Sequence, residues 1–298
     1  MDAAFSTGPD GQPTRPVVVG IVNCTPDSFF DGGRYFSANQ GGGTDQPGRA
    51  GRAEAHEAAA AALAHAERLL DEGADWLDVG GESTRPGASR VDAEEEWRRV
   101  APVITAFSRD VVVCIDTSKP VVAARALAAG ARVINDVTGL ADLEMQAVTA
   151  DAVTTVVMHG RGTPTTMDAL TDYADLVGEI TAHLVARAAL ARSQRVCIDP
   201  GIGFAKTTAQ SVALLHHTDA LVATGLPVYI GASRKRFIGH TLGLPGADDR
   251  LAGSLGAVAA AWQRGARIFR VHDAGPTRHL LDMMTTIDSP LAAPRRTP

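Results

Sequence analysis

Short, nearly all-apolar runs alternate with alanine-rich helical stretches along most of the chain. The apolar runs are Val17–Val22, Trp76–Val79, Val111–Ile115, Arg132–Asn135, Thr154–Met158, Arg195–Ile198, Val228–Ile230 and Arg267–Val271. They are flanked by Gly, Asp or Pro, as strands buried on both faces of a parallel sheet are. Helices are predicted between them over Arg52–Asp71, Ala93–Phe107, Lys119–Ala129, Leu143–Ala150, Tyr173–Ala191, Ala209–Ala223, Arg250–Arg264 and Thr277–Thr286. Several run into Gly-Ala, at 73–74, 130–131 and 265–266, where glycine suits a left-handed cap and the next strand follows at once. Eight strand–helix pairs predict an α/β fold, a single-domain (β/α)8 TIM barrel over 17–286. The rival, a doubly wound open sheet, has no G-x-G-x-x-G after the first strand. The polar segments 1–16 and 287–298 are expected to be flexible tails, and Ser37–Gly51 a Gly-rich mobile loop.

Composition narrows the class. The 298 residues are 45% hydrophobic, enough for a real core, and 28 Lys+Arg against 34 Asp+Glu give a net charge of −6. That balance argues against a nucleic-acid binder, which needs a basic footprint. No apolar run approaches the roughly 18 residues of a membrane-spanning helix, and the first residues lack an apolar signal-peptide core. Cys24, Cys114 and Cys197 are far apart and odd in number, which fits a reducing cytoplasm better than a disulfide framework. Only Lys119, Lys206 and Lys235 are lysine among the 28 cationic residues, so arginine is the default surface cation and each lysine stands out.

In a barrel the active site lies at the C-terminal ends of the strands. Those ends carry Asn23, the segment Gly80–Arg85, Asp116, Asn135, His159, Asp199, Ser233–Arg236, and Arg270 with His272. Asp116, Asn135 and Asp199 follow their strands at once, over an apolar floor. Such carboxylates are costly unless satisfied by neighbours or by a ligand. Two carboxylates and an amide suit the N–H edge of a flat nitrogen heterocycle. Arg234, Lys235, Arg236, Arg270 and His272 gather at strands 7 and 8, the usual phosphate position in barrels. Arg234 taken alone reads as a solvated loop residue. There is no C-x-x-C and no H-E-x-x-H, which disfavours zinc, while a weak Mg²⁺ site shared with a phosphate ligand is compatible. Cys24 has no base placed to activate it. His216 and His217 are adjacent on a helix and are expected to diverge at the surface.

The segments GIVNCTPDSFFDGG (20–33) and DVGGESTRPGA (78–88) resemble the two signatures of the dihydropteroate synthases. The resemblance continues in order through IDTSKP, INDVTG, MHGRGTPTTM, DPGIGFAKT, GASRKRFIG and RVHD, spanning about 17 to 285. It implies a TIM-barrel enzyme of folate synthesis, joining p-aminobenzoate to 6-hydroxymethyl-7,8-dihydropterin diphosphate with release of diphosphate. It further implies that Asp116, Asn135, Asp199 and Lys235 hold the pterin. Arg270 would lie across the pterin face and, with His272 and Asn23, hold the diphosphate, with Thr84 contacting it from the second loop. Asn23 would ligate Mg²⁺, and Asp31 would face the cation left when diphosphate departs. Phe29, Thr84, Arg85, Pro86, Phe204 and Arg236 would shape the p-aminobenzoate pocket, and Met158 with Phe204 would be apolar walls. Its partners would be these small molecules, with no nucleic acid and no membrane, and the chain would form a homodimer. Two competing readings are a non-catalytic pterin-binding paralogue and a methyltetrahydrofolate:corrinoid methyltransferase.

Overall fold

A computed structural model describes residues 8, 10–25, 47–83 and 90–288, with 47–55 as backbone only. Eight parallel strands run β1 (Val17–Asn23), β2 (Trp76–Gly80), β3 (Val112–Asp116), β4 (Val133–Asp136), β5 (Thr154–Met158), β6 (Arg195–Asp199), β7 (Tyr229–Ile230) and β8 (Ile268–Val271). They pair in the order β6-β5-β4-β3-β2-β1-β8-β7, and a parallel bridge between Ile198 and Val228 closes the ring. Around it lie α1 (Pro47–Asp71), α2 (Ala93–Phe107), α3 (Pro120–Ala128), α4 (Leu143–Val148), α5 (Leu176–Ala188), α6 (Thr208–His216), α7 (Thr218–Val222), α8 (Arg236–Leu242), α9 (Leu251–Gln263) and α10 (Ala274–Asp288). No helix among the described residues is long and apolar enough to cross a membrane.

Alternate strand residues explain why the runs read as continuously apolar. Val17, Val19, Trp76, Val112, Cys114, Val133, Val156, Cys197, Tyr229 and Ile268 fill the inside of the barrel. Residues of the other parity, such as Val18, Leu77, Val113 and Ile134, pack against the helices. The inner parity, carried four residues onward on β1 and two on the other strands, arrives at Asn23, Asp116, Asn135, Met158, Asp199 and Arg270. The predicted site is thus the top layer of the barrel interior.

Several boundaries differ from expectation. Helix α1 begins at Pro47, inside the stretch predicted as a loop over 37–51. Proline is favoured in a first helical turn, and the Arg/Ala content that follows outweighs Gly48 and Gly51. The predicted helix over 209–223 breaks at His217 into α6 and α7. There the His216 and His217 rings meet edge-on at 4.7 Å instead of diverging, although both are exposed. Residues 10–16 are not a loose tail. Gln12 is buried, donating to Leu226 O (2.7 Å) and accepting from Val228 N–H (2.9 Å), which stitches the segment to the entry of β7. At the other end α10 runs on to Asp288, so 287–288 belong to the barrel.

Candidate active site

Parallel pairing fixes the ring. Asn23 lies beside Gly80, Gly80 beside Asp116, Asp116 beside Asn135, and Met158 beside Asp199. From β8, Arg270 reaches across the mouth. Its Nε donates to Asp78 Oδ2, and its Nη2 donates to Asp116 Oδ2 at 2.7 Å. From the β7–α8 loop, Lys235 donates from Nζ to Ile202 O at 2.5 Å, and its ammonium stands 4.6 Å from the Phe204 ring centroid. Gly231 sits where these groups converge. A Cβ there would lie 3.7 Å from Asp199 Oδ2, 3.8 Å from Arg270 Cδ and 3.9 Å from Lys235 Nζ. Beside Asp116 opens a cavity of 370 Å³, with Met158 and Phe204 among its walls.

The ring is electrically tense. Burial pushes the Asp116 carboxyl up to about 7, against the pull of the Arg270 guanidinium. Burial likewise raises Asp199, opposed by Lys235 and by the 2.7 Å bond from Gly201 N–H to its Oδ1. Lys235 is drawn down to about 8 by burial, against the attraction of Asp199. Asn135 is 4% exposed, and its Oδ1 accepts no hydrogen bond among the described residues. A buried acceptor of this kind takes its donor from water or from a ligand.

The cationic cluster predicted at strands 7 and 8 divides. Arg234 is not a solvated loop residue. It forks onto Asp273, with Nη2 to Oδ1 at 2.6 Å and Nε to Oδ2 at 3.0 Å, and pairs with Asp248 at 2.6 Å. Arg236 opens α8 and pairs with Asp168 at 2.9 Å, both exposed. Arg234 is thus held by carboxylates of other loops and Arg236 by an exposed surface pair, while Arg270 is anchored on Asp78 and Asp116 of the ring itself and stands with Lys235 and His272 around the mouth. The His272 ring nitrogen Nδ1 lies 3.0 Å from Ser233 Oγ, which ties the ends of loops 7 and 8 together. Cys24 is 5% exposed, and burial pushes its thiol up to about 12, so it is no nucleophile. Phe29, Asp31, Thr84, Arg85 and Pro86 lie outside the described residues. Sequence reasoning did not single out Asp78 or Gly231, and it marked His159 at a strand end and Lys206 as a rare lysine without bringing the two together.

The chain matches the family model described as pterin binding enzyme over residues 49–272. It is 43% identical to the dihydropteroate synthase of Neisseria meningitidis over 280 residues, 90% of this chain and 91% of that one. The chain belongs to the dihydropteroate synthase family. Two solved dihydropteroate synthases from Xanthomonas albilineans superpose on this barrel. One, with 4-aminobenzoic acid, has a TM-score of 0.79 at 42% identity and covers 93% of this chain and 94% of that one. The other, in complex with 7,8-dihydropteroate, has a TM-score of 0.76 at 39% identity and covers 93% and 95%. The synthase family and the ring at the barrel mouth thus come together at one end of one fold.

Proposed function

We propose that this mouth carries out the family's reaction with the following division of labour. Asp116, Asn135 and Asp199 accept from the N–H groups of the pterin ring, and Lys235 donates to its oxygen or ring nitrogen. The observation that carries this reading is the approach of Asp199, Lys235 and Arg270 to Gly231, where a hydrogen leaves room that any other side chain would fill. Arg270 and His272, with Asn23 and Thr84, hold the diphosphate. The bond from the pterin methylene carbon to the diphosphate oxygen breaks, and the electron pair leaves on the diphosphate. The resulting cation is delocalised over the ring and faces nearby carboxylates, Asp31 among them. The amine of p-aminobenzoate then forms the new C–N bond and loses a proton, giving 7,8-dihydropteroate. Phe29, Arg85, Pro86 and Phe204 enclose the aryl ring. Arg236, whose Nη2 is on Asp168, offers its remaining N–H groups to the carboxylate of p-aminobenzoate.

Mg²⁺ fits this donor set as a companion of the diphosphate. Asn23 offers one amide oxygen, and the described residues hold no group of three His, Cys, Asp or Glu able to bind a metal. Mg²⁺ commonly takes few protein oxygens and several from substrate phosphate. When bound it would neutralise charge on the departing diphosphate. The buried thiols of Cys24, Cys114 and Cys197 support a reducing, cytoplasmic setting. A homodimer rests on the resemblance, and sedimentation velocity tests it.

The deciding assay is diphosphate release, run with and without p-aminobenzoate and Mg²⁺. Release that requires both supports the synthase. Pterin binding without release would overturn it in favour of a non-catalytic pterin binder.

A further inference from the structure

Asp78 is a carboxylate in the wrong place for a barrel core. It lies in the middle of β2 at 0% exposure, with inner parity, between the layer of Trp76 and the mouth. Its register partners are Ile21 and Cys114, one layer beneath Asp116. An ionised carboxylate at that depth is strongly unfavourable without a cation held in good geometry. Its cation is Arg270, which arrives from β8 on the other side of β1 and donates Nε to Asp78 Oδ2. Its other inner-layer neighbours, Cys114 and Tyr229, carry no positive charge to offset it. Burial first, and then the charge of Asp78, push the Cys114 thiol and the Tyr229 hydroxyl well above their ordinary ranges.

The guanidinium is therefore held by two carboxylates, one above the other. Nε is spent on Asp78 and one N–H of Nη2 on Asp116, while Nη1 makes no hydrogen bond among the described residues. Two carboxylates on one cation leave the pair of anions in excess. That arrangement fixes where the guanidinium points, and it also limits how tightly the same guanidinium can hold an anion.

We propose that Asp78 is a positioning residue: it locks Arg270 in place and offsets its charge, so that Asp116 stays available to the pterin and diphosphate is released once formed. The inference rests on the assignment of Arg270 to the diphosphate. It makes a prediction that a purely structural role does not. Without the Asp78 charge, Asp116 becomes the sole counter-ion of Arg270 and accepts less readily from the pterin, while the mouth becomes more positive toward anions.

The test is calorimetric titration of the full chain, separately with inorganic diphosphate at fixed Mg²⁺ and with neutral 6-hydroxymethyl-7,8-dihydropterin. Asp78→Asn is expected to bind diphosphate several-fold more tightly and the pterin about tenfold more weakly. In the Arg270→Met background the same change should move neither affinity. Both affinities falling together in Asp78→Asn would mark a merely structural residue and overturn the proposal. Unchanged diphosphate affinity in Arg270→Met alone would instead remove the assignment of Arg270 on which the proposal stands. If Asp78→Asn does not fold, Asp78→Glu decides, because it keeps the charge and misplaces it. A lower kcat at unchanged diphosphate affinity supports the proposal, and an unchanged kcat overturns it.

Discussion

Lys206 Nζ lies 3.0 Å from His159 Nδ1, both residues buried, His159 directly after β5 and Lys206 in the loop between β6 and α6. The same ammonium donates to Phe204 O at 2.9 Å, so it also pins the loop whose phenyl ring lies under Lys235. Burial draws Lys206 down to about 7, against the attraction of Asp199. Burial also draws His159 down to about 3, and the Lys206 charge adds to that. Both shifts mean that the unfolded chain binds more protons than the folded one. For Lys206 this holds between about 7 and the ordinary lysine value, so its contribution makes stability rise with pH there and level off below. For His159 it holds from the ordinary histidine value down to about 3, so stability falls as pH drops through that range. Unfolding free energies from denaturant titrations at pH 7, 8 and 9 should rise by up to about 1 kcal/mol per pH unit in the native chain. They should be flatter in Lys206→Met, and equal slopes in the two proteins would reject this account.

The second rare lysine is held differently. Lys119, at the start of α3, donates to Glu82 Oε2 at 2.5 Å and to Glu96, which is 1% exposed on α2. Glu82 also accepts from Val91 N–H at 3.2 Å, so one cation ties the end of β2, the entry to α2 and the β3–α3 loop together. Removing it strands a buried carboxylate. Lys119→Met should destabilise the chain by about 3 kcal/mol, and Glu96→Leu added to it should recover part of that loss. A Lys119→Met protein that melts with the native one would show that Glu96 is satisfied without it.

The barrel and its polar rim were legible because strands buried on both faces stay apolar until the point where the ligand begins. Asp116, Asn135 and Asp199 mark that point on three strands. What sequence could not supply was the partner of each charge. Arg234 and Arg236 looked like part of an anion cradle, yet Asp273, Asp248 and Asp168 take them up from other loops. Asp78 gave a signal, a carboxylate inside the run Trp76–Val79, but its meaning depended on an arginine 192 positions away that only ring closure brings near. Gly231 was silent for the opposite reason, since its contribution is the space it leaves.

That space can be tested without disturbing the fold. Gly231 does not have a positive φ, and an added methyl would meet its neighbours at ordinary van der Waals distances of 3.7 to 3.9 Å. Gly231→Ala should therefore keep the native thermal midpoint or raise it slightly, since alanine restricts the unfolded chain. The methyl stands where the pterin is proposed to lie, and overpacking of that kind costs about 1–3 kcal/mol, or roughly ten- to hundredfold in pterin affinity. Stability retained with pterin affinity lost is the expected pair of results. Retained affinity would move the ring to another part of the mouth.

The pH dependence of pterin binding follows from the Asp116–Arg270 contact. With its carboxyl raised to about 7 by burial, Asp116 is half protonated near neutrality and accepts hydrogen bonds fully only above that. Affinity for neutral 6-hydroxymethyl-7,8-dihydropterin should climb from pH 5.5 to 8 and then level off, the midpoint belonging to Asp116 together with Asp199, Lys235 and Arg270. Asp116→Asn should bind more weakly throughout and lose most of the rise. The diphosphate ester should in addition weaken above about pH 8, where Lys235 gives up its charge. Fluorescence or calorimetric titrations at half-unit pH steps resolve the two limbs. A native profile flat from 5.5 to 8 would mean that no carboxylate of this rim has to ionise to receive the ring.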